Sequence, residues 1–443
     1  MQSNRKQMQQ QTTRIVIGLV ALCYSFTSSA QRLDLATCLK MADTANSSIR
    51  NARLDVAVNQ QQKSAYDAAL FPKITASGDY RYNVVIPGQV VPAAFFGGQP
   101  GTYSTVQFGV PIVLNNTVQL TQVLYNPQVN YGLKVLDINQ QVVEIKERMT
   151  VQEVKQQVAT VYFNLQAITK QLSFIESNIL SFDKLIANMS AMNKEGLVVS
   201  TEVDKLKINR LNLVNSKQTL ASQYDQSFSM LKILMGIDKN ATVSLVADEL
   251  IEKTVLVDET SISRPELELL KTQVLMNEEE RKGTKMAYLP SLAFYAAYNY
   301  SYNIKPEDNF RKGIESSFIG LKLDWTIFDG FEKKNKLKVN ALNSEKLKIQ
   351  QDNLQQQLEL ATTIAKQQID IQSNSLLIAK EQLMLAERVY KQTEAQFNQG
   401  LISSNDLILA ENSQREAQTK LVVAYVQLRN AEINYLKSIG NIN

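Results

Sequence analysis

The sequence predicts a membrane α+β protein built as a tandem duplication, in which each copy supplies a pair of β-strands and a long antiparallel helical hairpin. Three observations predict this. First, Lys194-Glu195-Gly196-Leu197-Val198-Val199-Ser200 superposes on Asn398-Gln399-Gly400-Leu401-Ile402-Ser403-Ser404, and Met235-Gly236 on Ile439-Gly440, both at a shift of 204 residues. Second, four segments alternate apolar and polar residues with the period of two that belongs to strands. Third, two stretches of roughly 65 residues each run without a helix breaker, enough for about 100 Å of helix apiece. Solenoid repeats have periods of about 20 to 50 residues, so this repeat is a duplicated half-domain instead.

Further anchors extend the match. Val118 through Asn126 falls on Leu321 through Asp329 at a shift of 203, and Phe71-Pro72 on Leu289-Pro290 at 218, the surplus lying in a longer loop of the first copy. The chain accordingly divides into a signal segment (residues 1–30), a first repeat (31–236), a connecting segment (237–262) and a second repeat (263–443).

In the signal segment Arg5, Lys6 and Arg14 precede an apolar run from Ile15 to Cys23, and Ser28-Ser29-Ala30 fits a small-residue cleavage site before Gln31. Lipid attachment at Cys23 is a rival reading, opposed by the large Leu22 where such processing wants a small residue. Cleavage would leave 44 basic against 43 acidic residues. A nearly neutral mature chain is not expected to bind nucleic acid. It would keep only Cys38, which excludes an intrachain disulfide. Past the signal there is no run of 18 apolar residues and hence no transmembrane helix. An exported chain of this kind is either soluble or crosses a membrane as a β-barrel.

Composition narrows the chemistry. The sequence holds 16 glycines and 9 prolines in 443 residues, few for a chain of many loops, and so implies long uninterrupted elements. It holds no histidine, which removes histidine-based triads, histidine general bases and most zinc sites. Asp and Glu are spread along helical faces and do not gather as an active site would. No enzyme activity, cofactor or metal is expected.

Along the chain, Asp34 to Ala45 and Ser47 to Leu70 read as helices, and Phe71-Pro72 ends the second. Strands are expected at about 73–86 and 104–125, separated by a Gly/Pro loop from Pro87 to Gly101, and again at about 291–304 and 316–328. Ile74, Ala76, Gly78, Tyr80 and Tyr82 oppose Thr75, Ser77, Asp79 and Arg81; Phe294, Ala296, Tyr298, Tyr300 and Tyr302 oppose Asn299, Ser301 and Asn303. A half-buried soluble sheet produces the same alternation. A barrel wet inside and lipid-facing outside is favoured because the apolar faces are tyrosine-rich and the others carry Asp, Arg, Lys and Asn. Four strands cannot close a barrel, since the smallest membrane barrels have about eight, so the barrel must be shared between chains.

Each strand pair leads into a long helix through a cap, Asn126-Pro127 or Asp329-Gly330. The long helices should end at turns about 194–201 and 398–404, where Gly196 and Gly400 can take the left-handed conformation. Ser403-x-x-Asp406 and Thr201-x-x-Asp204 fit capping boxes with Asp in the usual Glu/Gln position. Heptad-like seams follow, through Val203, Leu206, Arg210, Leu213, Lys217, Leu220 and Tyr224, and through Leu407, Ala410, Gln414, Ala417, Leu421, Ala424 and Leu428. The helices before each strand pair are long enough to stack end to end on these returning helices. The connecting segment is mixed, with strand-like pieces such as Thr254 to Val257.

This order of elements resembles the TolC-type outer-membrane efflux protein family (outer membrane factors). The pieces that carry the resemblance are Leu35 to Leu39, Ala69-Leu70-Phe71-Pro72, Ala287-Tyr288-Leu289-Pro290, Trp325 to Gly330 and the two Gly-Leu turns, and it spans Leu33 to Gly440. It implies a homotrimer with a 12-stranded outer-membrane barrel and a periplasmic helical tunnel. It implies a passive exit duct for small molecules or polypeptides, partnered by outer-membrane lipid, a periplasmic adaptor and an inner-membrane pump. The adaptor would dock on Gly196, Leu197, Val198 and Ser200 and on Gly400, Leu401, Ile402 and Ser403. A periplasmic gate would be lined by Asp406 and Glu202, with Leu409 where the family's second acidic ring would stand. The alternative is a periplasmic coiled-coil adaptor, which should have one hairpin flanking a lipoyl-like domain and no paired tyrosine strands.

Overall fold

The computed structural model describes residues 31–238, 241, 243–245 and 264–441. The expected signal segment, Cys23 and most of the connecting segment, including Thr254 to Val257, lie outside the described residues. In chain order the elements are β1 (Gln31–Leu33), α1 (Leu35–Ala45), α2 (Ser47–Asp67), β2 (Lys73–Tyr82), β3 (Gly88–Pro92), β4 (Tyr103–Gln107), β5 (Ile112–Tyr125), α3 (Pro127–Lys194), α4 (Ser200–Leu234), β6 (Val243–Leu245), α5 (Pro265–Met286), β7 (Ser291–Lys305), β8 (Phe310–Asp324), α6 (Glu332–Asn398) and α7 (Ser404–Ile439). The helices α3 and α6 have 68 and 67 residues, and the helices that follow them, α4 and α7, have 35 and 36.

The described residues fall into two compact units. One comprises Leu54–Lys146 and Glu266–Leu354; the other is drawn from Met1–Arg53, Glu147–Pro265 and Gln355–Asn443.

The first unit holds an antiparallel four-stranded sheet in the order β2-β5-β7-β8. Residues directly opposite one another share a face, so the register decides whether the separate alternations add up. For the most part they do. Ile74, Leu120, Ala296 and Ile319 form one row across all four strands, and Tyr80, Leu114 and Tyr302 another, while the row Gly78, Asn116, Tyr300 and Glu315 between them sets an amide and a carboxylate on that face. The opposite face carries Asp79, Asn115 and Ser301 in one row and Thr117, Asn299 and Ser316 in another. The outermost strands, β2 and β8, each pair on one side only.

Strand ends differ from expectation in four places. The first strand stops at Tyr82 and not near 86, because Asn83 turns away, its N–H donating to Pro111 O at 2.7 Å and its Nδ2 to Val110 O at 2.9 Å. The presumed loop from Pro87 contains β3, which pairs with β4. The expected strand 104–125 is therefore two strands, interrupted at Gly109 with φ 149° and at Pro111. Finally β8 begins at Phe310 and ends at Asp324, so Trp325 and Ile327 lie beyond it; the Trp325 indole N–H donates to Tyr288 O at 3.0 Å.

Helix starts in this unit follow the caps. Asn126 Oδ1 accepts from the N–H of Gln128 at 3.0 Å and Asp329 Oδ2 from that of Lys333 at 3.1 Å. Adjacent helices are joined by amides: Asn59 Nδ2 donates to Gln140 Oε1 at 2.8 Å, and Asn277 Nδ2 to Asn340 O at 3.0 Å and Ser344 Oγ at 2.9 Å.

The second unit contains the hydrophobic core. Leu33, Cys38 and Ile49 pack with Val158, Tyr162 and Leu165 of α3, Leu231 and Met235 at the end of α4, and Leu421, Tyr425 and Ile433 of α7. Burial pushes the Cys38 thiol up to about 12. Asp34 caps α1 by accepting from Thr37 N–H at 2.8 Å, and Asn46 turns the chain into α2 while donating to Leu234 O at 2.7 Å. The parallel pairing of β1 with β6 was not expected from the sequence. Arg429 is buried against Phe163 and Tyr425, its guanidinium 5.8 Å and 5.2 Å from their rings, and is bonded to buried Glu432 at 2.6 Å.

Candidate functional site: two helix turns and the start of the returning helices

A second cluster of the same unit lies where α3 meets α4 and α6 meets α7. Phe182, Leu185 and Met189 of α3, Val203, Leu206 and Leu213 of α4, Tyr390 and Phe397 of α6, and Leu407 and Ala410 of α7 form it. Of the first expected seam, Val203, Leu206 and Leu213 are buried, whereas Arg210 reaches outward to Asp183 Oδ1 at 2.5 Å.

Both turns close by the same backbone device. Gly196 N–H bonds to Asn193 O at 3.0 Å and Leu197 N–H to Met192 O at 2.9 Å; Gly400 N–H bonds to Phe397 O at 2.9 Å and Leu401 N–H to Gln396 O at 3.0 Å. These are Schellman motifs, which satisfy the last carbonyls of a helix and need a left-handed residue. Gly196 and Gly400 supply it, with φ 75° and 73°. Leu197 and Leu401, next in sequence, are exposed, while Val198 and Ile402 turn inward onto the cluster. Asn193 Nδ2 adds a bond to Val198 O at 2.6 Å in the first turn.

The two returning helices start differently. Ser403 and Asp406 form a full capping box, with Asp406 N–H to Ser403 Oγ at 3.3 Å, Ser403 N–H to Asp406 Oδ2 at 3.2 Å, and Ser403 Oγ to Asp406 Oδ2 at 2.7 Å. The box expected at Thr201 and Asp204 does not form. Helix α4 starts at Ser200 with Val199 as its N-cap and no side-chain cap, so Thr201 is already helical and Asp204 pairs with Lys207 at 3.1 Å.

Glu202 is part-buried and doubly held. Ser404 Oγ donates to its Oε2, and Lys205 Nζ lies 2.8 Å from its Oε1. The hydrogen bond from Lys205, and then that from Ser404, hold its carboxyl below the usual range. Asp406 and Leu409 share one exposed side of α7, one turn apart, and Leu409 is 57% exposed. Thus the structure brings Glu202 next to the second turn through Ser404 and places Asp406 and Leu409 together on an open face.

Sequence reasoning passed over Ser404, Asn193, Tyr390 and Glu411. Ser404 sits one residue past the cap and reads locally as ordinary helix start. Glu411 is the one charged residue in the buried stripe Leu407, Ala410, Ala417 and Leu421 of α7, and that break in the stripe was a legible signal. Its two carboxyl oxygens, like Tyr390 Oη, are buried without a hydrogen-bond partner. Burial raises its pKa, opposed by the charge of Arg415. Among the described residues there is no group of acidic residues and cysteine that could hold a metal.

Residues 256–441 match the family model described as outer membrane efflux protein. No curated protein matches in sequence. Among solved structures, CusC has a TM-score of 0.73 at 14% identity, covering 94% of this chain and 95% of that one. The Campylobacter jejuni CmeC outer membrane channel has 0.71 at 15% identity, with coverages of 92% and 85%. The open state of the Neisseria gonorrhoeae MtrE outer membrane channel has 0.71 at 14%, with coverages of 92% and 89%. The expected alternative of a periplasmic adaptor finds no support in these matches. The second half of this chain thus matches the outer membrane efflux protein family model, and the chain as a whole shares the fold of the outer-membrane channels.

Proposed function

We propose that the protein is the outer-membrane exit duct of an export system: a passive homotrimeric channel, anchored in the outer membrane and reaching into the periplasm as a helical tunnel. The observation that carries this reading is the sheet β2-β5-β7-β8, open at both edges and with apolar rows such as Ile74, Leu120, Ala296 and Ile319 on one face. Unpaired edges in lipid are untenable, and closure by three copies satisfies both at twelve strands. The repeated order of strand pair, long helix, Gly-Leu turn and returning helix supports the duplication.

Exposed apolar residues on the long helices favour further copies of the same chain as the neighbours. On α6, Ile364, Ile371, Ile378 and Leu385 are exposed at intervals of seven, and on α4 Ile208 and Leu211 are exposed. Seven-residue spacing is the spacing of helices that pack side by side.

In this reading Glu202 and Asp406 line the periplasmic end of the tunnel and Leu409 narrows it by an apolar ring. The turns with Gly196, Leu197, Val198 and Ser200 and with Gly400, Leu401, Ile402 and Ser403 receive the tips of a periplasmic adaptor, and an inner-membrane pump supplies energy. The exposed Leu197 and Leu401 are the natural contact points. Small molecules or polypeptides are the cargo classes such a duct carries.

The test is the mature protein extracted from outer membranes, with its mass measured in detergent and its conductance in planar bilayers. A trimer that conducts ions is expected. A monomeric, soluble, non-conducting species overturns the proposal.

A further inference from the structure

The two connections at the helix-distal end of the sheet are chemically opposite. All four strand ends that adjoin helices, Lys73, Tyr125, Ser291 and Asp324, lie at one end of the sheet; the β2–β5 and β7–β8 connections lie at the other. The β7–β8 turn carries Lys305, Glu307, Asp308, Arg311 and Lys312 within eight residues, as a turn in water should. The β2–β5 connection carries no charge at all. Between Arg81 and Lys134 there is no Asp, Glu, Lys or Arg.

This uncharged connection is not collapsed on itself. The strands β3 and β4 pair only with each other, and a short 3-10 turn, Ala93–Phe96, forms the tip. Val90 is opposite Thr105 and Pro92 opposite Tyr103 on one face, Val91 opposite Ser104 and Gln89 opposite Val106 on the other. Val84 is 84% exposed, Phe95 79%, and Val85, Val90, Phe96, Tyr103 and Phe108 are also exposed. An apolar surface of this kind is costly in water and marks a binding surface.

We propose that the β3–β4 hairpin lies on the lipid surface, with Phe95, Phe96 and the valine and tyrosine side chains sunk at the boundary between headgroups and acyl chains. Two observations favour lipid over a protein partner. Protein interfaces keep a polar rim around their apolar centre, whereas this segment has apolar side chains on both faces of the hairpin and no charged residue. The hairpin also leaves the sheet between Tyr82 of β2 and Ile112 of β5, beside the row of Tyr80, Leu114 and Tyr302 on one face. Tyr80, Tyr82, Tyr300 and Tyr302 lie at the same end of that face, where tyrosine belongs at a membrane–water boundary, and Tyr300 and Tyr302 stack at 6.5 Å. The inference rests on the barrel reading, because it takes this face to meet lipid.

Tryptophan fluorescence separates the two. The chain has one tryptophan, Trp325, at the helix-proximal end of the sheet, and Trp325→Phe gives a dark background. On it, Phe95→Trp reports on the hairpin, Phe96→Trp repeats the measurement one residue on, and Ile319→Trp reports on the sheet face. In proteoliposomes of phosphatidylcholine with brominated acyl chains, all three emissions are expected to be blue-shifted and quenched about two-fold or more relative to unbrominated lipid. If Ile319→Trp is quenched while the hairpin reporters stay red-shifted and open to acrylamide, the hairpin is in water, and this inference falls while the barrel stands. Hairpin emission that is blue-shifted but insensitive to bromine means a protein cover and also overturns it. If Ile319→Trp itself is unquenched, the barrel reading fails first.

Discussion

Ser404 Oγ donates to Glu202 Oε2 and thereby ties the first turn of α7 to the first turn of α4, two helices whose starts are about two hundred residues apart in the chain. The resemblance implies that Glu202 lines a periplasmic gate. In the fold it is also a clasp between the two hairpin ends, and Asp406, held in its own capping box, stands on the open face.

Breaking the clasp should loosen the tip. Ser404→Ala is expected to speed amide exchange at the two turns several-fold at neutral pH, since it removes a hydrogen bond to an ionised group. Because the folded-state pKa of Glu202 is lowered, its contribution is present above the ordinary value of 4.5 and is lost as pH falls through the lowered one. The difference between wild type and Ser404→Ala should accordingly vanish on acidification. Equal exchange at neutral pH would remove the clasp.

Glu411 should act in the opposite sense. Its pKa is raised by burial, so the folded tip loses stability as pH climbs from the ordinary 4.5 through the raised value. Glu411→Leu abolishes this slope and is expected to stabilise α7 against local opening by about 1–3 kcal/mol at neutral pH, the cost of an unpaired buried polar group. Amide exchange across Leu407 to Leu421, followed against pH in both proteins, is the measurement.

The left-handed glycines differ in what surrounds them. At Gly196 and Gly400 a methyl group would meet nothing within 4 Å, so Gly→Ala there costs only the backbone strain of about 1–2 kcal/mol. At Gly236, φ 68°, the new Cβ would run into the backbone of Ala45. Gly236→Ala should therefore destabilise by about 3 kcal/mol or more, strain and overpacking together. Thermal unfolding of the three variants ranks them.

Arg429 and Glu432 are buried as a pair, and removing one partner strands the other. Arg429→Ala should cost about 3–5 kcal/mol, whereas a double change of Arg429→Met with Glu432→Leu should recover most of it. A double mutant as unstable as Arg429→Ala would show that the guanidinium acts through Phe163 and Tyr425 and not through the carboxylate.

Leu409 tests the gate. It is exposed, so Leu409→Asp should change stability by no more than about 0.5 kcal/mol. On the proposed channel it adds an acidic ring one turn from Asp406, and block of the planar-bilayer current by divalent cations added on the periplasmic side should strengthen. Asp406→Ala in the same background should reverse part of that gain and cost about 1 kcal/mol of helix capping. Unchanged block in both would place these residues away from the constriction.

Much of this molecule was legible locally. Glycine at a helix end, asparagine before proline, and a period that switches from 3.6 to two at Phe71-Pro72 are properties of a few adjacent residues, and they located the turns, the caps and the faces of the strands. Where a local pattern misled, a competing contact decided. The Thr201–Asp204 box lost to a helix that starts two residues earlier, and the presumed Gly/Pro loop holds a hairpin because β3 finds a partner in β4.

What the sequence alone determined was therefore the kind and order of the helices and of the four long strands, and the prevailing apolar side of those strands, since φ preference and side-chain period act over a few residues. Only the tertiary structure decided which elements meet: β5 beside β7, β1 beside β6, Ser404 against Glu202, Glu411 enclosed without a partner. These are contacts between residues remote in the chain. Their free energy comes from register and packing across elements, quantities that no local period carries.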